Sequence, residues 1–391
     1  MRRILSLVLI IVFAPAVTAC AGIQASPGST EIPAASASDA CPAVSELSTL
    51  QLTELSPSHK VRELTGPSTA CLPNHEIIPV SDTTAPALPV SVIDSEGRDV
   101  IVTDVGRILP IDISGTISAT VFALGLGDNV VGRDTSTDFE GTQSLPVVTK
   151  SGHTLNAEAI LQLAPTVVLT DTTIGPKEVR QQLRDAGITV VVISSERRLD
   201  TTDSLVNEIA TALGVPTRGE ALNDRLATEL ADVRSEIAAI APARAGDKAR
   251  MLFLYVRGNA NIYYIFGRDT GADSLIEAVG GIDVASEIGW KGAQPMTAEA
   301  LVAAQPDVIV MMTKGLESMG GIDGLLEKLP AVAQTPAGAN RRIIDMDDSE
   351  VLSFGPRTAQ IVSALARALY APGETKTPSA TETPGATWSN E

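Results

Sequence analysis

Residues 151–170, SGHTLNAEAILQLAPTVVLT, predict a loop, a helix and a buried strand in succession. Asn156 is a favourable residue for the start of a helix, and Glu158 falls in the first turn, where the helix dipole favours a carboxylate. Pro165 ends the helix. The apolar run at 167–169 is typical of a strand that is covered on both faces in a parallel sheet. This stretch therefore predicts an α/β fold.

The same pattern occurs again at residues 297–311, which read TAEALVAAQPDVIVM. Five of the fifteen positions are identical in the two copies, among them the glutamates Glu158 and Glu299. A helix–strand unit that occurs once in each half of the chain predicts two similar lobes. Only the first copy is preceded by a histidine, His153.

Strand and helix patterns alternate through both halves of the chain, which predicts mainly parallel sheets. Apolar residues at helical spacing predict one helix over residues 216–241. At about 25 residues this helix would be roughly 37 Å long, enough to join two lobes. We therefore predict two Rossmann-like α/β lobes, residues 89–215 and 248–371, with a ligand cleft between them.

The N-terminus has the features of an exported lipoprotein. Two arginines and a short apolar run precede VTAC at residues 17–20, which is similar to a bacterial lipobox. The resemblance implies a signal peptide over residues 1–19, lipidation of Cys20 and an anchor on the outer face of the cell membrane. An ordinary signal peptide, or a cytosolic protein with an apolar start, is the alternative.

Residues 20–88 are rich in Ser, Ala, Thr and Pro and predict a flexible linker, and residues 372–391 predict a disordered tail. In an exported chain, Cys41 and Cys71 are expected to form a disulfide within the linker; two free thiols are the alternative. The sequence indicates no role for residues 41–86.

The composition excludes several classes of function. A net charge of −18 argues against a nucleic-acid partner, because such partners require basic surfaces. The sequence contains no P-loop, no Gly-x-Ser-x-Gly and no His-Glu-x-x-His, so we do not expect an enzyme. We expect a monomeric binding protein.

One strand of the second lobe carries candidate ligand-binding side chains. Phe253, Tyr255 and Arg257 share one face, because side chains alternate along a strand. A tyrosine phenolate suits ferric iron and is a known axial ligand of haem. Arg257 would support the charged form of the phenol. The alternative is an edge aromatic beside a surface cation.

Other candidates lie in loops and at strand ends. His153 precedes a helix N-terminus, where loops of α/β lobes line the ligand crevice; a solvated loop histidine is the alternative. Met312, at the end of a predicted strand, and Met296, before the second repeat helix, are placed in the pocket, because a thioether can contact a flat apolar ligand; filling of the core is the alternative. His59 and His75, in the predicted linker, are expected to be solvated.

Residues 89–370 resemble the class III substrate-binding proteins of ABC importers. The repeated segments carry the resemblance, together with DNVVGR at 128–133 and DSLIEAVGG at 273–281. It implies that Glu158 and Glu299 dock against arginines of a permease dimer that works with its ATPase.

More narrowly, GHTLN at 152–156 and YVRG at 255–258 resemble the haem-binding lipoproteins of Gram-positive haem-uptake systems. This resemblance implies haem b (iron protoporphyrin IX) as the transported ligand, with His153 and Tyr255 as its axial ligands. Arg257 would support the phenolate, and Met312 would line the pocket.

The expected function is therefore that of an extracytoplasmic haem-binding lipoprotein that delivers haem to an ABC permease for iron uptake. A receptor for a ferric siderophore or a corrinoid is an alternative within the same class. A surface haem-scavenging module without a permease, or an enzyme built on the same fold, would belong to another class.

Overall fold

The computed structural model describes residues 41, 51–58, 60–150 and 152–374. Several predicted features lie outside the described residues: the signal peptide at 1–19, the lipidation site Cys20, the first part of the linker at 21–40, His59 and the tail at 375–391. Within the described part, every helix is too short or too polar to cross a membrane.

Strands and helices alternate along the described chain, as the sequence predicts. The strands are β1 (Ser68–Ala70), β2 (Val90–Ile93), β3 (Asp99–Val102), β4 (Ile108–Ile111), β5 (Thr149–Lys150), β6 (Thr154–Leu155), β7 (Val167–Thr170), β8 (Thr189–Val192), β9 (Arg250–Arg257), β10 (Ile262–Phe266), β11 (Ile282–Asp283), β12 (Ala293–Pro295), β13 (Val308–Met312) and β14 (Ile343–Met346). The α-helices are Thr116–Ala123, Ala157–Leu163, Lys177–Asp185, Thr202–Ala212, Pro216–Ile240, Ala272–Ala278, Val284–Glu287, Ala298–Ala304, Thr313–Met319, Gly321–Lys328, Pro330–Ala333, Pro336–Ala339 and Thr358–Tyr370.

The N-terminal lobe contains a parallel sheet in the order β4-β7-β8. All four residues of β7 are buried, as its continuous apolar run predicts. Beside this sheet, β2 and β3 form an antiparallel hairpin. A short 3-10 helix, Gly127–Asn129, precedes two isolated parallel bridges, Val130 with Ile108 and Arg133 with Val147.

The C-terminal lobe contains a larger sheet in the order β1-β14-β13-β9-β10-β12, and β11 also pairs with β9. The strands β1, β14, β13 and β9 are parallel, which confirms the predicted sheet type. β10 and β12 extend the sheet in antiparallel fashion. Apolar clusters cover both faces of the sheet, so its central strands are buried.

The two copies of the repeat adopt the same local structure. The first repeat helix, Ala157–Leu163, ends at Ala164 with a φ of 46°, and the second, Ala298–Ala304, ends at Gln305 with a φ of 44°. A proline and a buried strand follow in each copy. The left-handed residue turns the chain sharply from helix to strand, and the proline prevents the helix from continuing.

The helix Pro216–Ile240, which we call the inter-lobe helix, matches the prediction closely. Its N-terminal half contributes Leu222 and Leu226 to the core of the N-terminal lobe. Its C-terminal half contributes Ile237 and Ile240 to the core of the C-terminal lobe. One helix therefore belongs to both cores. The predicted fold of two α/β lobes joined by one helix is confirmed.

Residues 51–72 are part of the C-terminal lobe, so the prediction of a flexible linker over 20–88 is wrong for this segment. β1 pairs in parallel with β14, and Leu52, which is 0% exposed, lies in the apolar core of that lobe. The buried Arg342 donates hydrogen bonds to the Gly66 carbonyl (3.3 Å) and to Ser68 Oγ (2.9 Å). The partners of residues 51–72 are remote in the sequence, so these contacts produce no local periodic pattern from which they could be predicted.

Residues 72–80, which we call the strap, continue from the C-terminal lobe to the N-terminal lobe. A disulfide joins Cys41 to Cys71, directly before the strap, with a Cα–Cα distance of 5.7 Å. Leu72 packs in the C-terminal core, and Ile77 packs in the N-terminal core. The strap is therefore a second covalent connection between the lobes, in addition to the inter-lobe helix.

The start of the predicted disordered tail is ordered. Pro372–Glu374 form a 3-10 helix directly after the closing helix Thr358–Tyr370. The cause is Ala371, which is buried in the core of the C-terminal lobe and fixes the chain at this point. The prediction for 372–391 is therefore wrong for its first three residues.

Leu52→Ala tests whether the segment before the strap belongs to the folded core. We expect the free energy of unfolding to fall by about 2–5 kcal/mol, because the change leaves a cavity in a closed apolar cluster. Leu161→Ala, at an exposed leucine, serves as the matched control and should change it by less than about 0.5 kcal/mol. Urea denaturation followed by circular dichroism measures both; equal effects would contradict the assignment.

Candidate ligand-binding site

A cavity of about 1080 Å³ lies between the two lobes. This volume is slightly above the range of about 300–1,000 Å³ that is usual for small-molecule sites. The lining residues are Ile113, Ser114, Thr135, Ser136, Asp138, Gly152, His153, Ser195, Glu196, Arg197, Arg198, Asp200 and Thr201 from the N-terminal lobe, and Tyr255, Arg257, Phe266, Asp269, Thr270, Met312, Lys314, Asp348, Ser349 and Leu352 from the C-terminal lobe. The cavity is therefore the cleft that the sequence predicts.

His153 lies at the tip of the tight hairpin between β5 and β6. Gly152 has a φ of 84°, a left-handed conformation that glycine adopts without strain, and its carbonyl accepts a hydrogen bond from Thr135 Oγ1 (3.1 Å). The His153 ring is half-buried, and its Nδ1 atom is buried with no hydrogen-bond partner among the described residues. A buried polar atom without a partner is costly unless a ligand satisfies it.

The surroundings of His153 favour the neutral imidazole. Burial lowers the pKa of His153, and the positive charge of Arg257 lowers it further. Asp112 and Asp348 act in the opposite direction with smaller effects on this pKa. A neutral imidazole keeps a nitrogen lone pair that can bind a metal or accept a hydrogen bond.

Tyr255 is held in place by a row of stacked aromatic rings. Its ring lies 5.6 Å from the Phe266 ring at an interplanar angle of 13°, and Phe266 in turn stacks on Phe253 at 5.3 Å. These contacts arise because β9 and β10 pair in antiparallel fashion, which places Phe253 opposite Phe266. The predicted shared face of β9 is confirmed, and the stack fixes the direction of the phenol.

Arg257 lies over the face of the Tyr255 ring, with its guanidinium carbon 4.6 Å from the ring centroid. This is a cation–π contact. Its Nη2 atom is 2.6 Å from Asp348 Oδ2 and 3.6 Å from Met312 Sδ. Burial raises the pKa of Asp348, and the charge of Arg257 opposes this shift. The ion pair therefore fixes the guanidinium above the phenol ring.

The two predicted pocket methionines lie in different places. Met312 lines the cavity, whereas the placement of Met296 in the pocket is wrong. Met296 packs with Tyr263 and Trp290 in the apolar cluster on the other face of the sheet. Its backbone N–H donates to the Tyr263 carbonyl (2.9 Å), because β12 extends the sheet at the outer edge of β10.

Sequence reasoning missed several residues that shape the cavity. Phe266 belongs to the aromatic run IYYIF of β10. It is two residues from Tyr264, so both rings lie on one face of the strand, and this spacing is the signal that could have paired that face with Tyr255. Asp348 gives no local signal, because its partner Arg257 is remote in the sequence. Lys314 is exposed at the cavity and forms no ion pair with a described residue.

A buried group of carboxylates stands behind the N-terminal wall of the cavity. Arg197 lines the cavity and places its Nη2 atom 3.2 Å from Asp112 and 2.7 Å from Asp171. Burial and the charge of Asp112 raise the pKa of Asp134 to about 7 and that of Asp171 to about 6. These contacts fix the Arg197 side chain at the wall.

Glu158 and Glu299 are exposed in the first turns of the two repeat helices and form no ion pair with a described residue. Three residues further along each helix, Leu161 and Val302 are also exposed, at 37% and 45%. Residues three apart lie on the same side of a helix. Each lobe therefore presents a carboxylate next to an aliphatic side chain in the same arrangement.

Two α/β lobes that enclose a cleft and are joined by a rigid helix define a class III substrate-binding protein. The sequence profile of the periplasmic binding protein family matches residues 112–350, more than half of the chain, and the chain belongs to this family. The family consists of extracytoplasmic substrate-binding proteins of ABC importers rather than enzymes, which confirms the prediction that this protein is not an enzyme.

Two curated relatives are similar to this chain over about two thirds of its length or more. The chain is 26% identical over 286 residues to YvrC of Bacillus subtilis (strain 168), described as an uncharacterized ABC transporter substrate-binding lipoprotein; the match covers 72% of this chain and 86% of YvrC. It is 28% identical over 264 residues to a cobalamin-binding protein of Halobacterium salinarum, with coverage of 66% and 69%.

Solved structures with this fold include haem-binding proteins. The heme binding protein HmuT has a TM-score of 0.75 and 43% identity, covering 80% of this chain and 99% of HmuT. The periplasmic heme-binding protein RhuT of Roseiflexus sp. RS-1 has a TM-score of 0.62 and 39% identity, covering 68% and 99%. HmuT variants in which an arginine, a histidine or a tyrosine is replaced by alanine have also been solved.

The pKa of His153 gives a test that needs no ligand. We expect His153 to titrate below the usual imidazole value of about 6.5, and Arg257→Gln to raise its pKa, because the substitution removes a nearby positive charge. Arg250→Gln, which breaks an ion pair with Glu287 outside the cavity, is the control. NMR titration of the histidine ring measures the pKa; an unchanged pKa in Arg257→Gln would rule out the electrostatic coupling.

Proposed function

We propose that this protein binds haem b in the cleft and delivers it to an ABC permease. One observation carries the proposal: His153 from one lobe and Tyr255 from the other line the same cavity. The unpartnered Nδ1 of His153 belongs to a ring that can ligate a metal, and the Tyr255 phenol is held by stacking. An imidazole and a phenolate as the two axial ligands suit ferric haem.

The remainder of the cavity is suited to a flat, mainly apolar ligand that carries carboxylates. Phe266, Met312 and Leu352 offer apolar contact surface. Lys314 offers an exposed ammonium group that forms no ion pair with a described carboxylate. Porphyrin propionates are anions that such a cation would attract.

Similarity to haem-binding proteins supports the same ligand. In HmuT, the tyrosine and the arginine replaced in the solved variants are two positions apart. Tyr255 and Arg257 have the same separation in this chain. The sequence identity of 43% extends over nearly the whole of that protein.

In the proposed mechanism, haem enters between the lobes and its iron is ligated from both sides. The neutral His153 supplies a nitrogen lone pair, and Arg257 lies over the Tyr255 ring in a cation–π contact that holds the phenol in place. Asp348 keeps the guanidinium in this position. The inter-lobe helix and the strap restrict opening, so release requires the permease to separate the lobes.

Haemin binding tests the ligand and the axial residues. We expect residues 21–391 to give a red-shifted Soret band with haemin. His153→Ala and Tyr255→Phe should each change the spectrum and weaken haemin binding. Loss of a residue that only supports a metal ligand weakens metal binding by ~10- to 100-fold, and loss of a ligand itself should weaken it at least as much. Tyr263→Phe, on the other face of the sheet, is the matched control. Unaltered binding in both cavity variants would exclude them as axial ligands.

A corrinoid is the second candidate ligand, because a curated relative is a cobalamin-binding protein. Titration with cyanocobalamin beside haemin separates the two possibilities. We expect saturable binding of haemin alone, since the His153–Tyr255 pair suits iron with two free axial positions. Binding of cobalamin in preference to haemin would replace the proposed ligand and retain the class of protein.

The proposed docking surfaces are the exposed faces of the two repeat helices. Glu158 and Glu299 would meet cationic side chains on the two halves of a permease dimer, and Leu161 and Val302 would pack beside them. Lipidation of Cys20 would hold the monomeric protein at the outer face of the cell membrane, close to its permease and ATPase.

Charge reversal tests docking independently of haem binding. Glu158→Lys with Glu299→Lys should lower haem-dependent uptake by roughly tenfold or more, because like charges facing each other at an interface cost several kcal/mol. The haemin spectrum should remain unchanged. Glu220→Lys, at an exposed position of the inter-lobe helix, is the control. Normal uptake by the double variant would exclude docking through Glu158 and Glu299.

A further inference from the structure

His75, which the sequence presents as a solvated histidine, has a nearly buried partner. Its Nδ1 atom lies 3.0 Å from Oε1 of Glu350. The His75 side chain is 50% exposed, whereas that of Glu350 is 3% exposed. A buried carboxylate requires compensating partners, and His75 is one of them.

Glu350 belongs to a segment that we call the pocket loop, residues 347–352. Asp348 and Leu352 of this loop line the cavity, and Asp348 is the ion-pair partner of Arg257. The contact between His75 and Glu350 is therefore made by the same short loop that holds the guanidinium above the Tyr255 ring.

The strap at His75 is attached to the N-terminal lobe. The His75 carbonyl accepts a hydrogen bond from the backbone N–H of Glu140 (3.0 Å), and Ile77 is buried in the N-terminal core. Next to this point, Arg357 of the C-terminal lobe lies 5.7 Å from the ring centroid of Phe139. The strap, the N-terminal lobe and the C-terminal lobe therefore meet at His75.

We infer that His75 is a positioning residue for the ligand site: through Glu350 it ties the N-terminal lobe to the pocket loop, keeps Asp348 against Arg257 and slows the release of ligand. The inference rests on the proposed function for the identity of the ligand. His75 does not line the cavity, so its effect on release acts through Glu350 and the pocket loop.

The charges around His75 determine how the contact between His75 and Glu350 changes with pH. The hydrogen bond to Glu350 raises the pKa of His75; burial and Arg357 lower it, and Asp347 raises it. Because the pKa is raised in the folded protein, the charged link is complete at low pH and is lost as the pH rises through this pKa. Arg357 lies 3.5 Å from Glu350 and provides a second cation beside it. Burial lowers the pKa of this guanidinium, and the negative charges of Glu350, Asp347 and Asp138 act in the opposite direction.

Haem transfer from the loaded protein to excess apomyoglobin measures release. At about pH 6, His75→Ala should accelerate haem transfer about three- to tenfold relative to wild type. This ratio of transfer rates should decrease as the pH is raised to about 9, because His75 of the wild-type protein loses its positive charge over that range. His75→Gln keeps a neutral hydrogen-bond donor, so its transfer rate at about pH 6 should lie between the rates of wild type and His75→Ala. In a Glu350→Gln background, His75→Ala should have no further effect.

A second readout uses the ligand-free protein. Hydrogen exchange in the pocket loop should become faster in His75→Ala, whereas Arg184→Gln, which breaks an ion pair with Glu96 within the N-terminal lobe, should change neither exchange in this loop nor haem transfer. A lower melting temperature in His75→Ala with normal transfer at every pH would overturn the inference. If the wild-type protein binds no haemin, the proposed function fails, and the exchange experiment still tests the link.

Discussion

The two halves of the cavity rest on separate apolar cores, so the site exists only while the lobes keep their relative positions. The inter-lobe helix enforces this constraint. Leu222 and Leu226 are buried in one core, and Ile237 and Ile240 in the other. Bending the helix in its middle would pull one of these two pairs out of its core. This would cost about 25 cal/mol of free energy for each Å² of apolar surface that becomes exposed. The strap adds a second connection with buried residues at both ends.

Within this frame, the two proposed ligand side chains are held to different degrees. Tyr255 is fixed by ring stacking on one side and by Arg257 on the other. His153, by contrast, stands at a hairpin tip, and its buried nitrogen has no partner in the described chain. The phenol is therefore preorganised, and the imidazole can adjust to the ligand. Such a division lowers the ordering cost of binding while it keeps one fixed reference point.

The parts of the fold that sequence reasoning predicts are those with a local periodic signal. The repeat, the inter-lobe helix and the shared face of Tyr255 and Arg257 all follow from spacing within one element. Contacts between remote segments have no such signal, which is why the pairing of β1 with β14 and the partner Asp348 were not predicted. Met296 was misplaced for a related reason, since its position depends on how β12 extends the sheet.

The duplicated and unduplicated parts of the chain differ in what they face. The repeat helices share the exposed pairs Glu158 with Leu161 and Glu299 with Val302. These side chains lie on the outside, where the proposed two-fold permease would require matched surfaces. The interior of the cleft is not matched, because one lobe contributes an imidazole and the other a phenol. If both side chains ligate one iron, as proposed, the two walls have to differ. Duplication therefore explains the frame and its outer surface, whereas the chemistry proposed for the site depends on His153, Tyr255 and Arg257, which lie outside the repeat.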